Sequence, residues 1–237
     1  MAEAGFAGIR ARVRAVPVPR VSHIVALYLI TGVCGLVDAA CFLSMGGVFA
    51  EIMTGNLLFL CFHIGTGQSI FGDAKYLLVI AAFLLGATAG GRLLRGPRAE
   101  IRIGFAVEWA LLVIALILAA TLHPGASGVA RDVVTSLLAF AMGLQNALVR
   151  RHGVPDLATN VMTLTATALV ADSVPAGGHN ENWRRRFASI AIFLVSAILG
   201  ALLTTEFGPW APLALTVALF TVALSGLIAR NAPLIGG

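Results

Sequence analysis

One carboxylate lies deep inside an apolar run of this sequence, at Asp38 within "GLVDAACF". An ionisable side chain in the hydrocarbon of a membrane is costly and marks a functional site by default. We therefore predict that Asp38 couples proton movement or binds a cation. The structural alternative is a buried, protonated Asp38 that is hydrogen-bonded to a neighbouring helix.

A polar break follows in the next apolar stretch, where Thr54, Gly55 and Asn56 interrupt "EIMTGNLLFL". A broken helix in hydrocarbon leaves N–H and C=O groups unpaired, so it survives only inside protein or beside a wet cavity. Gly allows unusual backbone angles, and Thr and Asn cap helix starts. A helix N-terminus offers free donors to an anion or a polar solute. Alternatively, Thr54 and Asn56 bond back to the preceding turn or across helices as packing contacts.

The second half of the chain carries similar blocks in the same order, which indicates an internal duplication. Polar positions recur at matching places, and composition alone does not predict this; chance similarity between apolar segments is the alternative. The pairs are Gly35–Phe42 with Gly143–Arg150, Gly47–Asn56 with Gly153–Thr165, and Phe83–Gly91 with Phe193–Ala201.

The duplication sets Asn146 opposite Asp38, with Gln145 beside it, and both are neutral. A symmetric proton relay is therefore not predicted. Thr159 and Asn160, followed by Thr163 and Thr165, are the counterpart of the first polar break. The predicted substrate-binding residues are Asp38, Thr54, Gly55, Asn56, Gln145, Asn146, Thr159 and Asn160.

Composition identifies the elements that must position these residues. Hydrophobic residues make up 59% of the 237 and charged residues 11%, against about 25% charged in soluble domains. Continuous apolar runs predict membrane-spanning helices rather than the alternating strands of a barrel. The net charge of +5 comes from Arg clusters between the runs, which favours a cytoplasmic rim over nucleic-acid binding.

Six segments are long enough to cross, and the stretches 48–64 and 157–171 are shorter or more polar. If both short stretches dip in and return, every Arg cluster faces the cytoplasm. We therefore predict an all-α polytopic membrane helix bundle, with about six crossings plus two re-entrant half-helices, built from two inverted repeats. The six segments are 24–45, 76–94, 103–122, 129–149, 187–206 and 210–229.

This topology divides the chain into four parts, with both termini in the cytoplasm of a bacterium and the bundle in its inner membrane. The parts are a basic arm over 1–23, a first membrane repeat over 24–122, a second membrane repeat over 127–230 and a short tail over 231–237.

The remaining acidic residues in or beside the apolar runs are assigned structural roles. Glu51 is expected near the outer mouth, and Glu108 is expected to pair with Arg102 or to lie at headgroup depth. Asp156 and Asp172 flank the second short stretch and are expected to cap helices.

Small residues predict where helices approach closely. Gly86 and Gly90 form a GxxxG step, and Ser196 and Gly200 repeat its spacing in the second half. These surfaces either pack the two halves together or form a homodimer.

Enzyme, metal and cofactor chemistry are not predicted. The three Cys residues form no CxxC and the five His residues show no metal-binding spacing. We find no nucleophile motif and no phosphate-binding loop.

Two long blocks give the chain a family resemblance. "GLVDAACFLSMGGVFAEIMTGNLLFL" and "AMGLQNALVRRHGVPDLATNVMTLTATALVAD" are similar to the two hallmark blocks of the YoaK-like bacterial membrane proteins, over about 25–228. That family is of unknown function and loosely labelled as small permeases, so the resemblance implies the membrane class and no activity. Family members often carry Gly after the second-block Thr, where this chain has Leu164 after Thr163, which weakens close ligand approach there.

Two functions follow as hypotheses. The first is a small-solute permease or channel whose partners are the lipid bilayer, a small polar or anionic solute, and a second copy in a homodimer. The second is a non-transporting membrane scaffold or lipid-interacting partner protein, in which the polar residues only lock helices together.

Overall fold

The computed structural model describes residues 21–67, 69, 74–95, 101–125, 128–152 and 162–228. Throughout these ranges the regular structure is helical, with one short 3₁₀ turn at Val174–Ala176. The helices are α1 Val21–Ser44, α2 Met53–Gly65, α3 Lys75–Leu93, α4 Ile101–Leu122, α5 Val129–His152, α6 Met162–Ala171, α7 Trp183–Phe207 and α8 Trp210–Ile228.

Five of these helices, α1, α3, α4, α5 and α7, are long and apolar enough to cross a membrane. The predicted all-α membrane class is therefore confirmed, and each of the six predicted segments contains a long helix. The helix of the sixth predicted segment, α8, has a shorter described apolar stretch, Trp210–Leu224. With 13 residues, α2 is about 20 Å long, which is less than the ~30 Å hydrocarbon core.

Residues 45–52 fold back beside the end of α1. The Asp38 carboxylate, six residues before the end of that helix, accepts the backbone N–H groups of Ala50 and Glu51, both at 2.8 Å. Helix α2 then returns towards the end of α1, because Phe59 lies beside Phe42 with ring centroids 6.3 Å apart. After α1, the chain therefore runs back along that helix and then returns to the end of the bundle at which α1 ends.

Helix α3 begins at that same end and runs antiparallel to α1. Phe59 and His63 of α2 contact Tyr76, in the first turn of α3, with ring centroids 5.8 and 5.3 Å apart. Because α3 begins beside the end of α1, it runs back through the bundle in the direction opposite to α1.

Small residues bring α3 and α5 into backbone contact, side by side and in the same direction. Gly86 lies against the Phe140 backbone, and a Cβ on Gly90 would be 2.8 Å from the Ala147 Cβ. From the opposite side, Gly143 lies against the Phe83 carbonyl. Residue numbers rise together on the two helices, so α3 and α5 are parallel.

Helices α1 and α7 make the corresponding parallel contact. A Cβ on Gly35 would be 2.5 Å from the Ser196 Oγ and 2.8 Å from the Phe193 oxygen. A Cβ on Gly200 would be 2.9 Å from the Ala39 Cβ and 3.0 Å from the Leu36 Cα. Thus α1 and α7 run one way while α3 and α5 run the other.

The remaining helices complete the bundle around α1 and α5, the two most buried spans. Helix α4 packs on α5 and on α8, and α8 packs on α1. Phe105 and Phe220 join α4 to α8 with ring centroids 6.2 Å apart. The short helices lie outside this group, with α2 on α3 and α6 on α7.

Arginine collects at one end of the bundle. Arg92 lies at the end of α3, Arg150 at the end of α5 and Arg184 at the start of α7. Given the helix directions, all three lie at the end where α1 begins, and Arg185 acts electrostatically on Tyr28 of α1. These three Arg residues therefore share one end of the molecule, whereas Arg131, in the first turn of α5 and paired with Asp132, lies at the other end.

We expect Gly86→Ala to destabilise the protein, because its Cβ would collide with the Phe140 backbone and force α3 from α5. Overpacking of this kind costs about 1–3 kcal/mol. The matched control is Gly91→Ala on the same helix, where a Cβ meets no atom within 4 Å. Thermal unfolding of the purified protein in detergent measures both, and an equal change in Tm would contradict the close contact.

Candidate functional site

The folded-back segment 45–52 is fixed to α2 by the side chain of Asn56. Its Oδ1 accepts the Phe49 backbone N–H at 2.9 Å, and its Nδ2 donates to the Phe49 carbonyl at 2.6 Å. The side chain is fully buried. Both polar atoms of Asn56 are thus bonded to protein backbone rather than turned towards a solute.

The start of α2 also uses some of its own donors. The Met53 N–H donates to the Glu51 carbonyl at 2.9 Å, and the Gly55 N–H donates to the Ile52 carbonyl at 3.1 Å. Gly55 lies under the Phe49 ring, where a Cβ would come within 2.8 Å. Thr54 is exposed on the outside of the bundle. The predicted donor site at this helix end is therefore partly occupied by the turn itself.

Asp38 on α1 also binds the segment 45–52. Its Oδ1 accepts the two N–H groups described above, while its Oδ2 is buried and has no hydrogen-bond partner among the described residues. One carboxylate oxygen therefore stabilises the loop, and the other, close to the Ile52 N–H, forms no hydrogen bond of full geometry with the described residues.

Glu51 joins this loop to the second half of the chain. Its Oε1 and Oε2 accept hydrogen bonds from Asn146 Nδ2 on α5, at 2.9 and 2.8 Å. The residue is only 6% exposed, so its side chain lies inside the protein, and its position near an outer mouth stays a prediction. Asn146 also donates to the Met142 carbonyl of its own helix at 2.9 Å.

Glu108 on α4 is completely buried. Neither carboxylate oxygen has a hydrogen-bond partner among the described residues, and Glu51 acts on it electrostatically. The side chain therefore lies inside the bundle, and its location at headgroup depth stays a prediction. The side chain of Arg102, its expected partner, lies outside the described residues.

Asp38, Glu51 and Glu108 form what we call the acidic cluster. The Glu51 backbone N–H donates to Asp38, and the Glu51 carboxylate accepts from Asn146 of α5. Gly104, one turn before Glu108 on α4, lies against Leu148 of the same helix α5. Gln145 Nε2 donates to the Cys34 Sγ at 3.1 Å. The cluster therefore lies between α1, α4 and α5, where the two halves of the sequence meet.

The acidic cluster and the neighbouring Gln145 are rich in unused acceptors. Gln145 Oε1 is buried without a partner among the described residues, as are Asp38 Oδ2 and both oxygens of Glu108. Buried polar atoms of proteins are almost always hydrogen-bonded, so four unpaired oxygens need an explanation. Arg131 pairs with Asp132 and Arg186 pairs with Asp172, and neither of these two carboxylates belongs to the acidic cluster.

The second polar break is only partly visible. The predicted residues Thr159 and Asn160, and also Asp156, lie outside the described residues. In α6, Thr163 is exposed and Thr165 is buried.

Asp172 lies just after α6 and was expected to cap a helix. Its carboxylate instead accepts Arg186 Nη1 of α7 at 2.6 Å, and Arg186 also donates to the Ala168 carbonyl at 2.7 Å. That expectation is therefore wrong, since the side chain pairs α6 with α7.

Glu51 and Glu108 were not predicted as site residues. The rule applied to Asp38, that an ionisable residue within an apolar run marks a functional site, applies equally to both. The periodicity alone does not reveal that three such residues from α1, the loop and α4 converge, because their separation along the chain is large.

Comparisons with known proteins agree with the membrane class. The family described as "Protein of unknown function (DUF1275)" matches residues 26–225. The chain is 26% identical over 212 residues to "UPF0700 transmembrane protein YoaK" of Bacillus subtilis (strain 168), covering 83% of this chain and 92% of that protein. No solved structure matches.

Asn56→Ala should destabilise the protein, since it removes both partners of the part-buried N–H and C=O of Phe49. Each unpaired buried group costs about 1–3 kcal/mol. Thr54→Ala, two residues earlier at an exposed position of α2, is the control and should change Tm little. Thermal unfolding in detergent compares them, and equal stability of the two variants would show that Asn56 does not hold the loop.

Proposed function

Since this chain belongs to the family of proteins of unknown function (DUF1275), which fixes no activity, we propose that it is a small-solute permease or channel. Its path runs between two inverted repeats in the inner membrane of a bacterium. The acidic cluster, rather than the α2 start alone, forms the solute site. The observation that carries this proposal is the complete burial of Glu108 without a polar partner among the described residues.

The inverted arrangement is supported by equivalent helix contacts. Gly35 of α1 lies against Phe193 and Ala197 of α7. Gly143, which the duplication aligns with Gly35, lies against Phe83 and Ala87 of α3. The same alignment pairs α7 with α3.

Directions agree with an axis in the membrane plane. Equivalent helices, α1 with α5 and α3 with α7, run in opposite directions, as an inverted repeat requires. The other helix contacts are also equivalent between the repeats. The contact of α1 with α8 corresponds to that of α5 with α4, and the contact of α2 with α3 corresponds to that of α6 with α7.

The side-chain hydrogen bonds that join the two repeats lie at the proposed site. Glu51 bonds Asn146, and Cys34 bonds Gln145, so each tie joins a first-half residue to α5. Transporters with inverted repeats bind solute at the repeat interface near discontinuous helices. The loop 45–52 and the short helix α2 supply such a discontinuity.

The unused atoms favour a particular kind of solute. All four unpaired oxygens at the site are acceptors in their ionised or amide form. They suit a solute that donates hydrogen bonds or carries positive charge, and they repel an anion. The small polar solute of the sequence analysis is therefore preferred over the anionic one.

The membrane orientation follows from charge. The Arg residues at the end where α1 begins face the cytoplasm in this proposal, because cytoplasmic loops carry an excess of Lys and Arg. Both termini then lie inside, and the segment 48–64 enters from the periplasmic leaflet and returns to it.

Glu108→Gln should lower solute flux at least tenfold, because it removes a charge without breaking a hydrogen bond that the described residues form. Asp38→Asn should act likewise, since its amide oxygen still accepts the Ala50 and Glu51 N–H groups. Uptake into proteoliposomes is measured over a panel of cationic, neutral and anionic small solutes.

The matched control for flux is Glu206→Gln, the same chemical change at an exposed position near the end of α7. It should transport like the unaltered protein. If no solute enters faster than into protein-free liposomes, the permease proposal fails.

Labelling of one introduced, exposed cysteine at a time, with Cys34 and Cys41 remaining buried, should place residues 66 and 176 on opposite sides of the membrane. In a Cys61→Ser background, Thr66→Cys after α2 should react with an impermeant maleimide from the periplasm, and Ala176→Cys after α6 only from the cytoplasm. Labelling of position 66 from the cytoplasm would mean that α2 passes straight through and that the repeats are not inverted.

The scaffold function remains the second candidate because of one observation. Asp38, Asn56 and Asn146 all bond protein groups, as residues that only lock helices together would. Under this function, Glu108→Gln would change stability but no flux would exist to be lost.

A further inference from the structure

The charge of the acidic cluster is not balanced by the described part of the protein. Asp38 and Glu51 accept hydrogen bonds from neutral N–H groups only, and Glu108 accepts none there. An unpaired carboxylate in a low-dielectric interior is costly. Within the described residues nothing supplies the balancing positive charge, and bound protons or a bound cation would supply it.

We infer that the acidic cluster binds a small organic ammonium ion and releases protons when it does so. This inference rests on the proposed function, since it names the solute class for the same site. An ammonium group supplies both the positive charge and the N–H donors that the unpaired oxygens of Glu108, Asp38 and Gln145 lack.

The surroundings of Glu108 suit an organic cation. Phe105 precedes it by three residues, so the two side chains share one face of α4. Phe105 and Phe220 are both almost completely buried and lie 6.2 Å apart. Aromatic faces attract ammonium groups and accept their alkyl parts, which a hydrated metal ion would not use.

The exchange conserves charge. When the ammonium ion enters, a carboxylic acid of the cluster loses its proton to water, and the carboxylate accepts an N–H hydrogen bond from the ion. When the ion leaves, a proton returns to the carboxylate. No oxidant, reductant or covalent intermediate is involved.

Few other titratable groups face the cluster within the described residues. Helix α1 contributes the thiols of Cys34 and Cys41, which lie within electrostatic range of Asp38. From α5 the facing side chains are the neutral Gln145 and Asn146. The released proton is therefore assigned to the three carboxylates.

Isothermal titration calorimetry of the full chain in detergent tests the inference with methylammonium as the probe. Titration near pH 7 in two buffers with different ionisation enthalpies gives the number of protons released. We expect about one proton for each methylammonium bound. Acetamide, a neutral molecule of similar size, should release none.

Glu108→Gln should weaken methylammonium binding about 30-fold or more, because it removes the carboxylate that has no other partner among the described residues. Glu206→Gln should bind like the unaltered protein. The proton count of the unaltered protein provides a test that needs no variant, should Glu108→Gln fail to fold.

Three results would overturn the inference: no methylammonium binding, binding without proton release, or the same affinity and proton count with sodium. Flux of neutral solutes without methylammonium binding would leave the permease function standing and this inference refuted. Binding with proton release but no flux of any solute would refute the permease function and support the site.

Discussion

Main-chain polar groups cannot be left unpaired in hydrocarbon, and the rest of this structure depends on how residues 45–52 meet that constraint. The segment is non-helical and folds back beside α1. Asp38 accepts two of its N–H groups and Asn56 pairs with both polar groups of Phe49. Without these bonds the segment would expose several groups, each costing several kcal/mol.

Holding the loop in this way places a third carboxylate in the interior. Glu51 follows directly on the residues that Asp38 fixes, and its side chain reaches Asn146 across the boundary between the sequence halves. Glu108 then adds a carboxylate with no polar partner among the described residues. A bundle that served only as a scaffold would be more stable with an apolar residue at that position, since an unsatisfied buried acid is destabilising.

Close helix contact is what brings these residues together. Gly35 and Gly143 let α1 meet α7 and α5 meet α3 at backbone distance. In lipid, such contacts stabilise a bundle through packing because no hydrophobic force drives apolar helices together. These contacts hold α1 and α5 at the centre of the bundle. The polar side chains of the two helices then face a common interior, where Gln145 bonds Cys34 and Asn146 bonds Glu51.

The sequence by itself determined the membrane class and the positions of the long helices, because apolar length is readable along one chain. The predicted break at Thr54–Asn56 was misplaced: these residues lie in the first turn of α2, and the non-helical segment is 45–52. The sequence also indicated Asp38 and Asn56 as special, but not what they bond. Only the tertiary structure decided that Asn56 bonds the Phe49 backbone, that Asp172 pairs with Arg186, and that Glu51 and Glu108 are both buried. These outcomes depend on which helices pack side by side, and helix packing joins residues far apart in sequence that no local pattern connects.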